Sequence, residues 1–236
     1  MSYLTQLQSN NNTVTQKRKK EYIAHNFGKY VDPRLKKKNV HILEIGPGFG
    51  EFIEYCMERG VNNIDVIEND ISVTRHLKKK YSLQNIFFTQ DIGSMDNKLR
   101  TYDVIMMTQV LEHVPQIAHI KIVQTLFKHL NTNGVLIITV PNIGNPLAIF
   151  ERYYDYTHKT AFTEHSLEQM VDFADLKKAK LVLQPFRIPP YSIVNIFRSV
   201  FQSLLHGLFK LLFIINGGVY PHILTTNVSL IIEKTA

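Results

Sequence analysis

Apolar residues gather in short runs, and segments of helical spacing separate them. Residues 40–45 are almost all apolar, and glycines follow at 46, 48 and 50. Such a run, closed by turn residues, predicts a buried strand. Phe52, Ile53, Cys56 and Met57 then recur at helical spacing, and Gly60 is placed to stop that helix. Further strands are expected at 64–68, 85–89, 102–108 and 135–140. Helices are expected at 71–81 and 117–130, the second burying Ile117, Ile120, Val123, Phe127 and Leu130 and ending at Asn133-Gly134. Residues 181–185 and 227–233 read as two last strands. Five strands alternating with helices predict an α/β fold with a doubly wound parallel sheet, whose ligands gather at the carboxyl ends of the strands.

Two stretches depart from this alternation. Residues 1–15 are rich in Asn, Gln, Ser and Thr and read as a mobile tail. A helix at 17–30 follows, with Tyr22, Ile23 and Phe27 on one side, where packing or a place beside the ligand are both open. Residues 191–221 read as a helical insertion. Asn195, Arg198, Ser199, Gln202, His206 and Lys210 fall mostly three or four positions apart, so they form one polar stripe with apolar residues covering the rest. Gln202, His206 and Lys210 interrupt the apolar run, so it is not a clean membrane span. A lid packed on the sheet, a homodimer contact and a peripheral membrane contact through 193–215 all fit.

Length suits a single domain, 1–236, large enough for a full core. The lone cysteine, Cys56, rules out a disulfide framework and fits a reducing cytoplasm. The N-terminus has no apolar signal segment. The net charge of +7 invites a nucleic-acid or anionic-membrane partner, yet the lysines lie in separate clusters at 17–20, 36–38 and 78–80. The last cluster suits the end of a helix. No aromatic-interleaved basic motif is present, so a nucleic-acid partner is not expected.

The glycines sit on a strand-to-helix turn, where the backbone can approach a ligand and free N–H groups point outward. A dinucleotide fingerprint needs a third glycine where Glu51 stands, so it fails. The pattern is Glu44-x-Gly46-x-Gly48-x-Gly50. It resembles motif I of the class I S-adenosylmethionine-dependent methyltransferases. Glu68 ends the second strand 20 residues after Gly48 (68 − 48), where a carboxylate can hold ribose hydroxyls. Asn69-Asp70 would turn the chain into the next helix. Asp91 and Ile92 follow the third strand; in the family the Asp holds the adenine amino group and the apolar residue packs on the ring. The resemblance implies S-adenosylmethionine as cofactor and a seven-stranded Rossmann-like sheet ending in an antiparallel hairpin.

After the fourth strand come Gln109-Val110-Leu111-Glu112-His113-Val114, similar to the segment that ubiquinone/menaquinone-type and glycan methyltransferases carry there. The resemblance turns the carbonyls near Gln109 to the cofactor and places His113 near its methionine end, while a helix-start histidine bonded to backbone fits as well. The Asn/Asp-Pro-Pro-Tyr motif of nucleic-acid amino methyltransferases is absent, which favours an oxygen acceptor. Residues 152–163 then concentrate acceptor-binding candidates: Arg152, Tyr154, Tyr156 and Lys159, with His158 as the leading base, Asp155 to orient it and His113 in reserve. Residues 155–167 resemble bacterial methyltransferases found with surface-polysaccharide synthesis. Thr163 or Ser166 caps the next helix, Ser166 with Gln169 as a capping box. The expected activity is O-methylation of a small molecule or glycan, without a metal, in capsule or O-antigen synthesis. Alternatives are an RNA methyltransferase, a quinone-type methyltransferase and a non-catalytic partner-binding relic. The expected location is cytoplasmic, with membrane association open.

Overall fold

The computed structural model describes residues 13–236. Its strands are β1 (Ile42–Ile45), β2 (Ile64–Glu68), β3 (Asn85–Phe88), β4 (Tyr102–Thr108), β5 (Leu130–Pro141), β6 (Ala179–Pro185) and β7 (Asn227–Lys234). They form one sheet in the order β3-β2-β1-β4-β5-β7-β6. The first five run parallel, and β7 runs antiparallel between β5 and β6. The helices are α1 (Thr13–Leu35), α2 (Glu51–Met57), α3 (Ile71–Lys80), α4 (Gln116–Lys128), α5 (Ile149–Tyr154), α6 (Glu164–Ala174) and α7 (Ile193–Ile215). This is the expected doubly wound α/β sheet with its antiparallel hairpin.

Strand period explains the two cores. Ile42, Val66, Val104 and Ile137 face α1, α2 and α3, meeting Phe27, Phe52 and Leu77. Leu43, Ile105 and Leu136 point the other way, to Ile122 and Leu126 of α4 and Leu167 of α6. Alternate residues of one strand thus feed opposite layers. Local signals end the helices as expected: Asp70 accepts from the N–H groups of Ser72 and Val73 to start α3, and Lys78, Lys79 and Lys80 fill its last turn.

Four expectations change. Ile117 is 93% exposed and Ile120 is also outside, because α4 buries His119, Ile122, Val123, Leu126 and Phe127 instead. His119 takes a core position because its Nε2 donates to the Val114 carbonyl at 3.0 Å, which satisfies the ring. Asn133-Gly134 does not follow the helix end; it lies within β5, with Asn133 at φ 62° where the β4–β5 register shifts. Thr163 caps α6, and its capping-box partner is Ser166 rather than Gln169 behind Ser166. Phe27 is core, and Tyr22 stacks on Phe186 with 5.6 Å between ring centres. Of the expected mobile tail, residues 1–12 lie outside the described residues and 13–15 are helical.

Asp65, in β2, is 2% exposed and joins three strands. Its Oδ1 accepts from Asn85 Nδ2 at 2.8 Å, and its Oδ2 from the Tyr102 hydroxyl at 2.9 Å and Arg100 Nε at 3.1 Å. Burial, with Asp65 beside it, pushes the Tyr102 phenol well above its usual range. Asp65→Ala should therefore destabilise the chain by about 3 kcal/mol in urea denaturation, since it strands the buried Tyr102 hydroxyl on β4 and the half-buried Asn85 amide on β3. A loss below about 1 kcal/mol would deny the clamp its role.

Candidate active site

The loop after β1 is shaped by two close approaches and one open position. Gly46 has φ 65°, and a Cβ there would lie 2.3 Å from Val110 Cγ2. Gly50 has φ 86°, and a Cβ there would lie 2.5 Å from the Tyr81 ring. Gly48 also has positive φ, 53°, but nothing lies within 4 Å of its missing side chain. So Gly46 and Gly50 admit neighbours, while Gly48 leaves space over the loop.

Carboxylates stand at the ends of β1 and β2 and just after β3. Glu44 is buried, and its Oε2 has no hydrogen-bond partner among the described residues. Burial pushes its pKa well above the carboxylate range, and the nearby Glu51 and Glu68 push it further. Glu68 Oε1 accepts from the N–H groups of Asn69 at 2.7 Å and Asp70 at 2.8 Å. Burial raises its pKa, partly offset by those two bonds. Asp91 is exposed and caps the 3-10 turn Ile92–Asn97 by accepting from Ser94 N–H at 3.2 Å. Ile92 turns into the core at 5% exposure, so its side chain belongs to the packing under the loop.

Beside the glycine loop, on the neighbouring strand, the turn after β4 shapes a cavity. Gln109 is held at φ 54°, rare for a residue with a side chain, and its Nε2 donates to Asn227 Oδ1 at 2.9 Å. The 3-10 turn Leu111–His113 follows. Gln109, Glu112, His113, Pro141, Glu151 and Asp155 line a cavity of about 470 Å³ that Phe150, Tyr154 and His158 complete. The backbone carbonyl of Glu112 accepts from the N–H groups of Lys159 at 2.8 Å and Thr160 at 3.1 Å. That pairing brings the loop around 155–160 over the turn.

A directional hydrogen-bond chain runs through this cavity. The Thr157 hydroxyl donates to Asp155 Oδ1 at 2.7 Å, and His113 Nδ1 lies 2.8 Å from the same hydroxyl oxygen. A hydroxyl has one proton, and here it goes to the carboxylate. His113 Nδ1 must therefore carry a proton, which in the neutral ring leaves Nε2 with a lone pair. Burial lowers the His113 pKa, and His158, 4.7 Å away between ring centres, lowers it further. Burial works to raise the Asp155 pKa, but the bonds from Thr157 and the two histidines outweigh it and hold it low. Glu112 is the opposite case: burial, reinforced by Asp155, pushes it up to about 8, and neither of its oxygens has a partner among the described residues. Donor atoms of Glu112, His113 and His158 all lie within 4.8 Å of one another, a donor set able to hold a divalent ion.

The expected acceptor residues divide. His113, His158, Asp155, Tyr154 and Gln109 meet in one cavity. Asp155 bonds Thr157 and through it His113, not His158. Arg152 does not face the cavity; its guanidinium donates to the carbonyls of His158 at 2.8 Å and Lys159 at 3.4 Å and so shapes the loop. Tyr156 is fully exposed, and the Lys159 side chain is outside the cavity wall. Thr157, Glu112 and Glu151 were not singled out from the sequence. Thr157 stood inside the flagged loop, and Glu112 stood beside His113; neither side chain has a periodicity that reveals its partner.

A sheet of this order with a glycine loop and strand-end acids defines a class I S-adenosylmethionine-dependent methyltransferase. A family model described as a methyltransferase domain matches residues 15–181, and the chain belongs to that family. The ubiquinone biosynthesis O-methyltransferase of Coxiella burnetii is 29% identical over 89 residues, 37% of this chain and 38% of that protein. The match thus spans about two fifths of the relative's length. Among solved structures, a SAM-dependent methyltransferase from Archaeoglobus fulgidus has a TM-score of 0.63 at 17% identity, covering 93% of this chain and 97% of that one. The plantazolicin methyltransferase BpumL in complex with SAH has a TM-score of 0.64 at 17% identity, covering 99% and 89%. Such identities express likeness of fold. The residues present fit the cofactor: an open glycine, an unpartnered buried carboxyl oxygen at Glu44 and the strand-end carboxylate of Glu68 suit a cationic nucleoside.

Two outcomes follow from this geometry. Gly46→Ala combines a positive φ with the Val110 clash and should destabilise by about 2 kcal/mol or more, while Gly48→Ala meets only the backbone strain of about 1 kcal/mol. Adding Val110→Ala to Gly46→Ala should recover part of the loss in urea denaturation; no recovery would rule out the clash. For Glu112, the folded pKa of about 8 exceeds its ordinary 4.5. The protonated carboxyl is favoured by folding, so stability falls as pH rises from about 4.5 to about 8. Glu112→Gln should flatten that fall, and its melting temperature relative to wild type should climb over the same range. A constant difference would contradict the raised pKa.

Proposed function

We propose that this methyltransferase moves the methyl group of S-adenosylmethionine to a hydroxyl oxygen of a small molecule or glycan, with His113 as the base. The observation that carries this reading is the Asp155–Thr157–His113 chain, which presents an unprotonated Nε2 in a cavity beside the turn after β4. Bound S-adenosylmethionine supplies an electrophilic methyl group on a sulfonium. Gly48, Glu44, Glu68 and Asp91 would hold it. His113 Nε2 would take the proton of the acceptor hydroxyl as that oxygen is methylated, and the sulfonium would depart as a neutral thioether. Asp155, acting through Thr157, steadies the imidazolium that results. The turn and the acceptor loop supply alignment, which removes much of the entropic barrier.

For the acceptor, the resemblance of 155–167 to surface-polysaccharide methyltransferases supports a sugar or phosphoryl-bearing glycan made in the cytoplasm. A quinone-type ring is the second reading. It is supported by the likeness to a ubiquinone biosynthesis O-methyltransferase and by the aromatic wall of Phe150 and Tyr154.

Isotope-labelled methyl transfer into sugar-nucleotide, lipid-linked, quinone and RNA fractions of a cell extract separates these readings. Label confined to RNA would end the proposal. With the labelled fraction as substrate, His113→Ala should lower kcat by about 10²- to 10⁴-fold. Its affinity for S-adenosylhomocysteine should change little. The base must be unprotonated, and burial lowers its pKa, so activity should fall only as pH drops below the ordinary histidine value of 6.5. Thr157→Val should move that acid limb. A full loss in His158→Ala with His113→Ala still active would transfer the role to His158.

A further inference from the structure

The insertion between β6 and β7 is built inside out. On α7, Asn195, Ser199, Gln202 and His206 share one stripe at about 100° per residue. That stripe faces the protein: Asn195 is 3% exposed and its Nδ2 donates to the Pro189 carbonyl at 2.8 Å, while Ser199, Gln202 and His206 are half-buried. The opposite half of the circumference is apolar and outside. Phe197, Phe201, Leu204, Leu208, Leu211 and Ile215 are each 50–72% exposed. Packing of this face on the sheet, one of the uses expected of the insertion, is not what the structure has. The helix is long and apolar enough to cross a membrane by composition, and none of its apolar window is buried. A monomer rarely leaves so continuous an apolar strip uncovered.

Three observations select what covers it. The first is charge. No Asp or Glu occurs from residue 176 to residue 232, while Lys177, Lys178, Lys180, Arg187, Arg198 and Lys210 all do. Arg198 and Lys210 stand one on each border of the apolar arc. A second copy packed by twofold symmetry would bring these cations together with no acid in either insertion to pair them. Anionic headgroups complement them. The second is orientation. The chain turns back at Gly217 (φ 74°), and Lys210 Nζ lies 5.5 Å from the centre of the Tyr220 ring. Both ends of α7 therefore return to the same sheet edge, and a span would put Asn195, Gln202, His206 and Lys210 into hydrocarbon. The third is continuity. α7 leaves the carboxyl end of β6 and returns at Asn227, which pairs with Pro141 in the cavity wall. Pro221 lies against Gly144, and from there exposed Ile143, Leu147 and Phe150 extend the apolar surface to the cavity mouth.

We propose that α7 is an in-plane anchor that seats the chain on an anionic bilayer surface, with the acceptor cavity opening at the lipid boundary. An acceptor carried by the bilayer would then enter from the membrane side, a step that rests on the proposed acceptor cavity; the anchoring itself does not.

Co-sedimentation of the full chain with vesicles of phosphatidylglycerol and phosphatidylcholine, against phosphatidylcholine alone, tests the anchor. Wild type should sediment with the anionic vesicles. Leu204→Asp with Leu208→Asp should weaken binding by about tenfold or more, since both sit at the centre of the apolar arc. Arg198→Gln should weaken it by about fivefold, with the loss disappearing at high salt. Calorimetry with S-adenosylhomocysteine should be unchanged in both variants, which shows that they fold. It also separates failure of the anchor from failure of the enzymatic reading. No sedimentation of wild type, or equal sedimentation of the double variant, would overturn the anchor. So would a wild-type dimer in ultracentrifugation that the double variant converts to monomer without any vesicle binding.

Discussion

The close approach of Gly46 to Val110 is the contact on which the site depends. A side chain at Gly46 would overlap Val110 at 2.3 Å, so the loop after β1 and the turn after β4 fit only because one residue has none. With Val110 seated there, Gln109 takes its left-handed conformation and His113 N–H donates to the Val110 carbonyl at 3.0 Å. Leu111 is buried beneath, and Glu112 and His113 turn to the cavity. The Glu112 carbonyl then holds the next loop through Lys159 and Thr160. Cofactor loop, β4 turn and acceptor loop are thus linked in series. A displacement of one changes the distance between methyl donor and acceptor, and rates of group transfer are steep in that distance.

Electrostatics follows the same division of labour. Among the described residues, Glu44 and Glu112 are buried carboxyls with unpartnered oxygens, which costs stability. Glu44 lies at the end of β1 beside the glycine loop, and Glu112 lines the cavity next to the β4 turn. Asp155 has the reverse environment. Its hydrogen bonds from Thr157 keep it ionised, and through that hydroxyl it decides which nitrogen of His113 carries the proton. Two neighbouring acids pushed in opposite directions, with a histidine of fixed tautomer between them, is an arrangement suited to moving one proton.

The outward apolar face of α7 adds a spatial condition. The helix hangs from the carboxyl edge of the sheet, between β6 and β7, and so shares that edge with the cavity. The polar stripe does the work that an apolar stripe does elsewhere in the molecule. Asn195 gains a carbonyl partner, and the stripe lies against the protein, while the apolar arc is exposed.

Periodicity and end signals were enough to place the strands, the glycine loop, the Asp70 cap and the acids at the strand ends. These depend on neighbours in sequence, and their geometry is local. The loop around 152–163 also stood out in the sequence for its density of polar and aromatic residues, and Tyr154, Asp155 and His158 from it line the cavity. Which partner each one takes was not. Arg152 is engaged by carbonyls, Tyr156 points to solvent, and Thr157 joins Asp155 to His113. The two-faced pattern of 193–215 was plain from spacing, yet which face turns inward depends on what β6 and β7 leave beside it. His119 likewise displaced Ile117 from the buried face because a carbonyl happened to lie within reach. The chain alone determined the order of elements and the residues able to do chemistry. Tertiary structure decided their pairing, because hydrogen-bond direction and burial are set by atoms far apart in sequence.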